Sequence, residues 1–244
     1  MAGRIFITGD THATVDMRKL NSKLFPLGKT LDADDYVIIC GDFGAVWAND
    51  NTDKYLLNWY QAKPWTTLFV DGNHENFDLL DAIAPRNWHG GMVHELRPKV
   101  LHLMRGQMFD IHGRSFFCMG GATSIDKAFR TEGKSWWPQE VPSLDQRDTA
   151  LASLERAGWR ADYVLTHCAP SGVQYRLNPY FSFDVVTDFL QGIEERLDYR
   201  HWFFGHYHED RTVGERWTCV YYDILEIELG DDASADRIAP AGRR

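Results

Sequence analysis

The chain has 244 residues, 44% hydrophobic and 25% charged, which are ordinary globular values with enough apolar surface for a sizeable core. Its formal net charge of −9 argues against a protein that lives on nucleic-acid backbones, so duplex nucleic acid is not an expected partner. A phosphorylated small molecule or a nucleotide is compatible with that charge, because bound cations supply positive charge locally.

No apolar run approaches the roughly 18 residues of a membrane span. The N-terminal MAGRIFITGD lacks the apolar stretch of a signal peptide, so a cytoplasmic protein without a membrane partner is expected. Cys40, Cys118, Cys168 and Cys219 form no C-x-x-C pair and read as reduced core residues rather than zinc ligands or disulfides.

In chain order, Arg4–Thr8 reads as a short buried strand and Asp16–Leu24 as a helix ending near Pro26. Tyr36–Cys40 is a second strand, Asp53–Lys63 a helix stopped by Pro64, and Thr66–Val70 a third strand. This alternation suggests βαβ units and a mostly parallel sheet. Met92–Leu96, Val100–Met104, Met108–Ile111 and Ser115–Met119 follow at close spacing, with turn residues between, and read as an antiparallel meander. Asp126–Pro142 reads as an ordered loop, because Trp136 and Trp137 favour burial. Ser143–Ala157 is a helix opened by a Ser143/Gln146 capping box. Tyr163–Thr166 and His201–Phe204 are strands around a helix at Asp184–Leu197, and Trp217–Tyr222 with Leu225–Leu229 read as a final antiparallel pair. One domain is expected over residues 1–230, with two sheets face to face and helices outside. Residues 231–244, small, polar and charged, read as a frayed tail.

Five segments concentrate metal-ligand chemistry, and each follows a predicted strand. They are Gly9-Asp10-Thr11-His12, Gly41-Asp42, Gly72-Asn73-His74-Glu75, Thr166-His167, and Gly205-His206-Tyr207-His208. Open sheets bind ligands outside the carboxyl ends of their strands, so five such ends can converge on one point. Carboxylate oxygen and neutral imidazole nitrogen suit Mn²⁺, Fe²⁺ or Zn²⁺. Taken singly, each segment has an ordinary explanation: a capped turn, a helix N-cap at Asn73, or a paired core histidine. Five of the ten histidines nevertheless fall in these segments; His89, His94, His102, His112 and His201 lie outside and read as structural or surface residues.

In this order, D-x-H, G-D, G-N-H-E, H and G-H-x-H, the segments resemble the calcineurin-like metallophosphoesterases, and the match spans Asp10 to His208. The resemblance implies an α/β fold, a four-layer α/β/β/α sandwich of two mixed sheets flanked by helices. It implies two divalent metal ions, manganese first and iron or zinc as alternatives. Asp10, His12 and His208 would hold one ion, Asn73, His167 and His206 the other, and Asp42 would bridge them. The implied reaction is hydrolysis of phosphate mono- or diesters by a hydroxide bridging the ions. A nuclease or cyclic-nucleotide phosphodiesterase of the same fold is the alternative, and a non-catalytic scaffold a more remote one.

His74 follows a ligand position without being a ligand, which makes it the candidate general acid. Glu75 either orients His74 or begins the next helix. The protein-phosphatase branch has a second Asp and then an Arg after the bridging Asp; here those positions are Ala45 and Val46, so both groups are missing. Arg130 and Asn73 are the candidate substrate contacts. Arg130 either clamps a phosphate bidentately or belongs to a solvated loop, and the loop is the plainer reading. Trp47, Trp136 and Trp137 either stack on a nucleobase or pack the interior, and packing is the commoner role.

Overall fold

Within the first strand, β1 (Ile5–Thr8), Ile5 and Ile7 join one apolar cluster and Phe6 another. β2 (Tyr36–Cys40) divides in the same way, with Tyr36, Ile38 and Cys40 on one side and Val37 and Ile39 on the other. Strands buried on both faces lie in a sheet covered on both sides, hence their unbroken apolar runs. What covers them is seen in the computed structural model, which describes residues 3–241.

β1, β2 and β3 (Thr66–Val70) run parallel, with Ile5 opposite Tyr36 and Tyr36 opposite Thr66. They are the centre of an eight-stranded sheet. Beyond β1 lie β13 (Leu225–Glu228) and β14 (Arg237–Pro240); beyond β3 lie β6 (Val100–Leu103), β5 (Gly91–Arg97) and β4 (Pro85–Trp88). A second, six-stranded sheet has the order β11 (Arg211–Val213), β12 (Trp217–Cys219), β10 (Asp198–Phe204), β9 (Arg160–Thr166), β8 (Arg114–Met119), β7 (Gln107–Ile111).

One cluster, including Ile7, Ile38, Phe116, Tyr163 and Phe203, fills the space between the sheets. Outside the first sheet, Leu56 and Tyr60 of α1 (Asn51–Gln61) and Leu80 of α2 (Phe77–Leu80) pack on its outer residues. The second sheet is covered by α3 (Leu144–Arg156), α4 (Ser171–Leu177) and α5 (Val185–Glu194). The result is the expected four-layer α/β/β/α sandwich. The Ser143/Gln146 capping box is present, and Asp184 with Thr187 makes another on α5. All four cysteines are free and buried.

Four local expectations are corrected. The run from Met92 to Met119 is not one meander: β5 and β6 belong to the first sheet, β7 and β8 to the second. The turn at Gly106 crosses between layers, its φ of +71° open to glycine. The last predicted pair is also split, since β12 pairs with β10 and β11 while β13 pairs with β1. Asp16–Leu24 gives only a 3₁₀ turn at Met17–Leu20, because Asp16 and Lys19 bind partners outside it.

The tail expectation fails over residues 233–240, where a 3₁₀ turn leads into β14, paired with β13. Buried Asp236 explains the order: it accepts two 2.8 Å bonds from Arg114, one of 2.7 Å from Tyr163 Oη and one of 2.8 Å from the Gly230 amide. Residues 242–244 of that tail lie outside the described residues. Among the described residues, no helix is long and apolar enough to cross a membrane.

Candidate metal centre

The five singled-out segments leave the carboxyl ends of adjacent parallel strands, β1, β2 and β3 in one sheet and β9 and β10 in the other. The sheets face each other, so these ends meet, and all seven candidate ligands come together. Asp42 stands between two groups: its Oδ2 lies 3.2 Å from His12 Nε2 and its Oδ1 3.2 Å from His167 Nε2. On the His12 side, Asp10 Oδ2 is 3.4 Å from His208 Nε2, and the His12 and His208 rings are 4.9 Å apart. On the His167 side, Asn73 Oδ1 is 3.3 Å from His167 Nε2, and the His206 ring is 4.9 Å away.

The backbone is bent to achieve this. His12, Asp42, His206 and His208 all have positive φ (39°, 49°, 69° and 53°), a region costly to residues with a side chain. Such strain gathers at functional sites, where surrounding structure holds it in place. Two glycines serve a different end: a Cβ on Gly72 would collide with Asp42 Oδ1, and one on Gly205 with Asp10 Oδ1. They are glycine because candidate ligands occupy the space of their side chains.

Each half has its own orienting groups. His12 Nδ1 pairs with Asp16 Oδ2 at 2.8 Å, and Asp16 in turn accepts bonds from Tyr221 and Tyr222 at 3.2 and 3.1 Å. His167 donates from Nδ1 to the Cys40 carbonyl at 2.9 Å, which turns Nε2 toward Asp42. Asn73 donates from Nδ2 to Ser124 Oγ at 3.2 Å, and Ser124 donates to Glu140 at 2.7 Å, leaving the amide oxygen facing inward. Lys19 lies buried beneath, donating to the carbonyls of Gly9 (2.5 Å), Asp10 (2.9 Å) and Tyr221. Burial lowers its pKa to about 8.

Burial disfavours ionised Asp42, but His167 and His12 outweigh it and hold the carboxyl well below its ordinary range. The opposite balance holds at Asp10, where burial outweighs His167 and raises the carboxyl. Burial, with the neighbouring His167, lowers His206 to about 3 and keeps it neutral, the form that ligates.

The donors fit divalent ions. One ligand atom each from Asp10, His12, Asp42 and His208 lies within 4.8 Å of the others. Ligands at about 2.0–2.2 Å from one ion lie roughly 3–4.4 Å apart, so small adjustments suffice. Mixed carboxylate and imidazole donors, with His12 and His167 each oriented through the second ring nitrogen, match the way such ions are usually held.

His74 lies beside the open half, its ring 5.3 Å from that of His12 and its amide donating to Asp42 Oδ1 at 2.9 Å. Burial, reinforced by Arg130 and opposed by Asp42, lowers its pKa. Arg130 reaches it: Nη2 is 3.4 Å from His74 Nε2, while Asp126 at 2.8 Å anchors the guanidinium. The plainer reading of Arg130 as part of a solvated loop is therefore replaced by a position at the centre. Neither reading of Glu75 holds. Fully buried, its carboxylate accepts from the amides of Phe43 and Gly44 at 2.7 and 3.2 Å, so it shapes the turn carrying Asp42. Trp137 is interior and Trp136 half-buried, whereas Trp47 lines a cavity beside His74. Ala45 and Val46 are core residues.

A family profile described as calcineurin-like phosphoesterase matches residues 3–210 of the chain. The chain belongs to the calcineurin-like phosphoesterase family. It is 26% identical over 212 residues to the lariat debranching enzyme of Schizosaccharomyces pombe, covering 73% of this chain and 44% of that relative; it thus spans less than half of that relative's length. One solved structure of 10% identity superposes over 98% of both chains with a TM-score of 0.56, a likeness of fold. The Thermus thermophilus sulfate thiohydrolase SoxB, in complex with glycerol, superposes over 99% of this chain and 56% of its own at 11% identity, with a TM-score of 0.48.

Asp16, Ser124, Glu140 and Lys19 did not stand out in the sequence. Asp16 had a usable signal, a carboxylate four residues after His12, whereas Ser124 and Glu140 act on Asn73 from 51 and 67 positions away and left none.

Proposed function

We propose that the chain is a metal-dependent phosphoric ester hydrolase with two divalent ions, manganese first and iron or zinc as alternatives. The observation that carries this reading is Asp42, whose two oxygens each face a different histidine at 3.2 Å. One carboxylate shared between two donor groups is what a pair of ions roughly 3.5–4 Å apart requires. Asp10, His12 and His208 would hold one ion; Asn73, His167 and His206 would hold the other.

When bound, the ions supply a water of lowered pKa and neutralise charge on the phosphoryl oxygens. The residues do the rest. His74 protonates the leaving oxygen from Nε2. Arg130 is a donor only, so its contact with His74 Nε2 needs that nitrogen unprotonated. A phosphoryl oxygen that takes the Arg130 N–H frees Nε2 to take up a proton from water, giving the imidazolium that then protonates the leaving oxygen. Substrate binding thus couples the phosphate grip to the acid.

A small phosphorylated metabolite or nucleotide is the expected substrate, on charge grounds. Hydrolysis of a diester is a second reading, supported by the lariat debranching enzyme among its relatives. The test is reconstitution of the purified chain with Mn²⁺, followed by metal analysis and assays on p-nitrophenyl and bis-p-nitrophenyl phosphate. Two equivalents of metal and turnover of at least one ester are expected. Two bound equivalents with no turnover of either ester overturn the hydrolase reading, and a rate on the diester alone selects the second reading.

A further inference from the structure

A cavity of about 640 Å³ opens beside the open half of the centre, with His12, His74 and His208 at its inner end. Its volume lies within the range of small-molecule sites, roughly 300–1,000 Å³. The remaining wall includes apolar Trp47, Val15 and Leu56, the hydroxyl-bearing Thr52 and Tyr221, and acidic Asp16, Asp50 and Asp53, of which Asp16 and Asp53 are buried and already hydrogen-bonded. Neither lysine nor arginine lines it. Arg130, which reaches His74, is not part of this wall.

Trp47 is fixed in position. Its amide donates to Asp53 Oδ2 at 2.8 Å, and its carbonyl accepts from Asn76 Nδ2 at 2.6 Å. Its ring packs edge-on against Trp137, at 5.3 Å and 82°, and Trp137 is itself tied to Asp78 at 2.9 Å. A half-buried indole held this rigidly offers a flat face at little entropic cost.

We infer that this cavity receives the alcohol side of the ester and selects a flat, uncharged group, a nucleoside carrying no second phosphate. The inference deepens the hydrolase reading and rests on it. Arg130 is placed to take a phosphoryl oxygen beside the centre, and His74, which would protonate the leaving oxygen, lines the cavity 6.3 Å from the Trp47 ring, so the group beyond the scissile oxygen lies toward Trp47. A base stacks there. A second phosphate would meet the exposed Asp50 carboxylate with neither lysine nor arginine on the wall to receive it, which disfavours bisphosphates and polynucleotide strands.

The test separates the cavity from the chemistry. Titration calorimetry of the full chain with adenosine and with ribose reads the cavity alone, with no ester present. Adenosine binding is expected and ribose binding is not; Trp47→Ala weakens adenosine by about tenfold or more, and Trp47→Phe restores most of it. Adenosine 5′-monophosphate, ribose 5-phosphate and adenosine 3′,5′-bisphosphate are then compared as competitive inhibitors of the p-nitrophenyl ester that is turned over. The monophosphate is expected to bind about tenfold tighter than either of the others, and Asp50→Asn, which keeps the cap of α1, to narrow the gap to the bisphosphate. Equal binding of adenosine and ribose, or equal loss of both phosphates in Trp47→Ala, overturns the inference while leaving the hydrolase reading intact. Adenosine binding without turnover of any ester removes the hydrolase reading, and the cavity's role as a leaving-group site falls with it.

Discussion

The two halves of the centre share Asp42 and differ in almost everything else. On one side His208 is half exposed and His12 partly so, and both border the 640 Å³ cavity. On the other side His167 is fully buried and Asn73 nearly so, beneath the Ser124 and Glu140 segment. The open half is oriented from nearby in the chain by Asp16, four residues after His12. The closed half is oriented from far away, by the Cys40 carbonyl and by a loop 51 residues beyond Asn73. On the proposed two-ion reading, the open half would border the substrate and exchange its ion more readily, whereas the closed half would depend on the whole sandwich being assembled.

The most damaging change to both halves is Asp42→Asn. An amide cannot give each ion an anionic oxygen, so metal content should fall below one equivalent and turnover by about 10³-fold or more. Retention of one full equivalent would mean that the two halves do not share this carboxylate. His74→Ala follows in size. It should cost about 10²–10⁴-fold on alkyl esters, which need a proton on the leaving oxygen, and far less on p-nitrophenyl esters. Metal content should stay at two equivalents; equal losses on both ester types would remove the acid role.

Smaller changes address one half at a time. Asp16→Asn should weaken the open-half ion by about 10–100-fold, and Glu140→Gln the closed-half ion by a similar factor. Titration with Mn²⁺ distinguishes them, because each variant should disturb only one of two binding steps. A variant that weakens both steps equally would indicate that the orienting groups act through general stability.

The asymmetry also explains what could be read from the sequence. Strands β1, β2 and β3 were legible because both faces are buried, so Ile5–Thr8, Tyr36–Cys40 and Thr66–Val70 stand out as apolar runs with turn residues at their ends. The candidate ligands were legible because each follows such a strand directly. Pairing was not: β7 and β8 look like a continuation of β5 and β6, and only packing assigns them to the other sheet. Nor did composition foretell β14, whose order comes from pairing with β13 and from buried Asp236, whose partners include Arg114, 122 residues away. Glu75 was misread for a related reason. Its neighbours in sequence are His74 and a helix start, but its partners are amides 31 and 32 residues earlier.

The finest distinction between the halves concerns protons. Burial alone would keep His167 neutral, but Asp42 and Asp10 outweigh it and raise the imidazole to about 10. Its partner His206, lowered to about 3, is already neutral. An ion entering the closed half must therefore displace one proton from His167 throughout the neutral range, and affinity there should rise about tenfold per pH unit until the pH nears 10. Calorimetry in buffers of different ionisation enthalpy should register that single released proton. The same shift acts on stability in the ion-free protein. Because the folded pKa lies above the unfolded value of about 6.5, the contribution is complete below pH 6.5 and is lost as pH rises through 10. The ion-free thermal midpoint should accordingly decline across that window, while the loaded protein, with no proton left on His167 to lose, should not show this decline. A flat ion-free profile would mean that His167 is neutral before any ion arrives, and the closed half would then bind with no proton released.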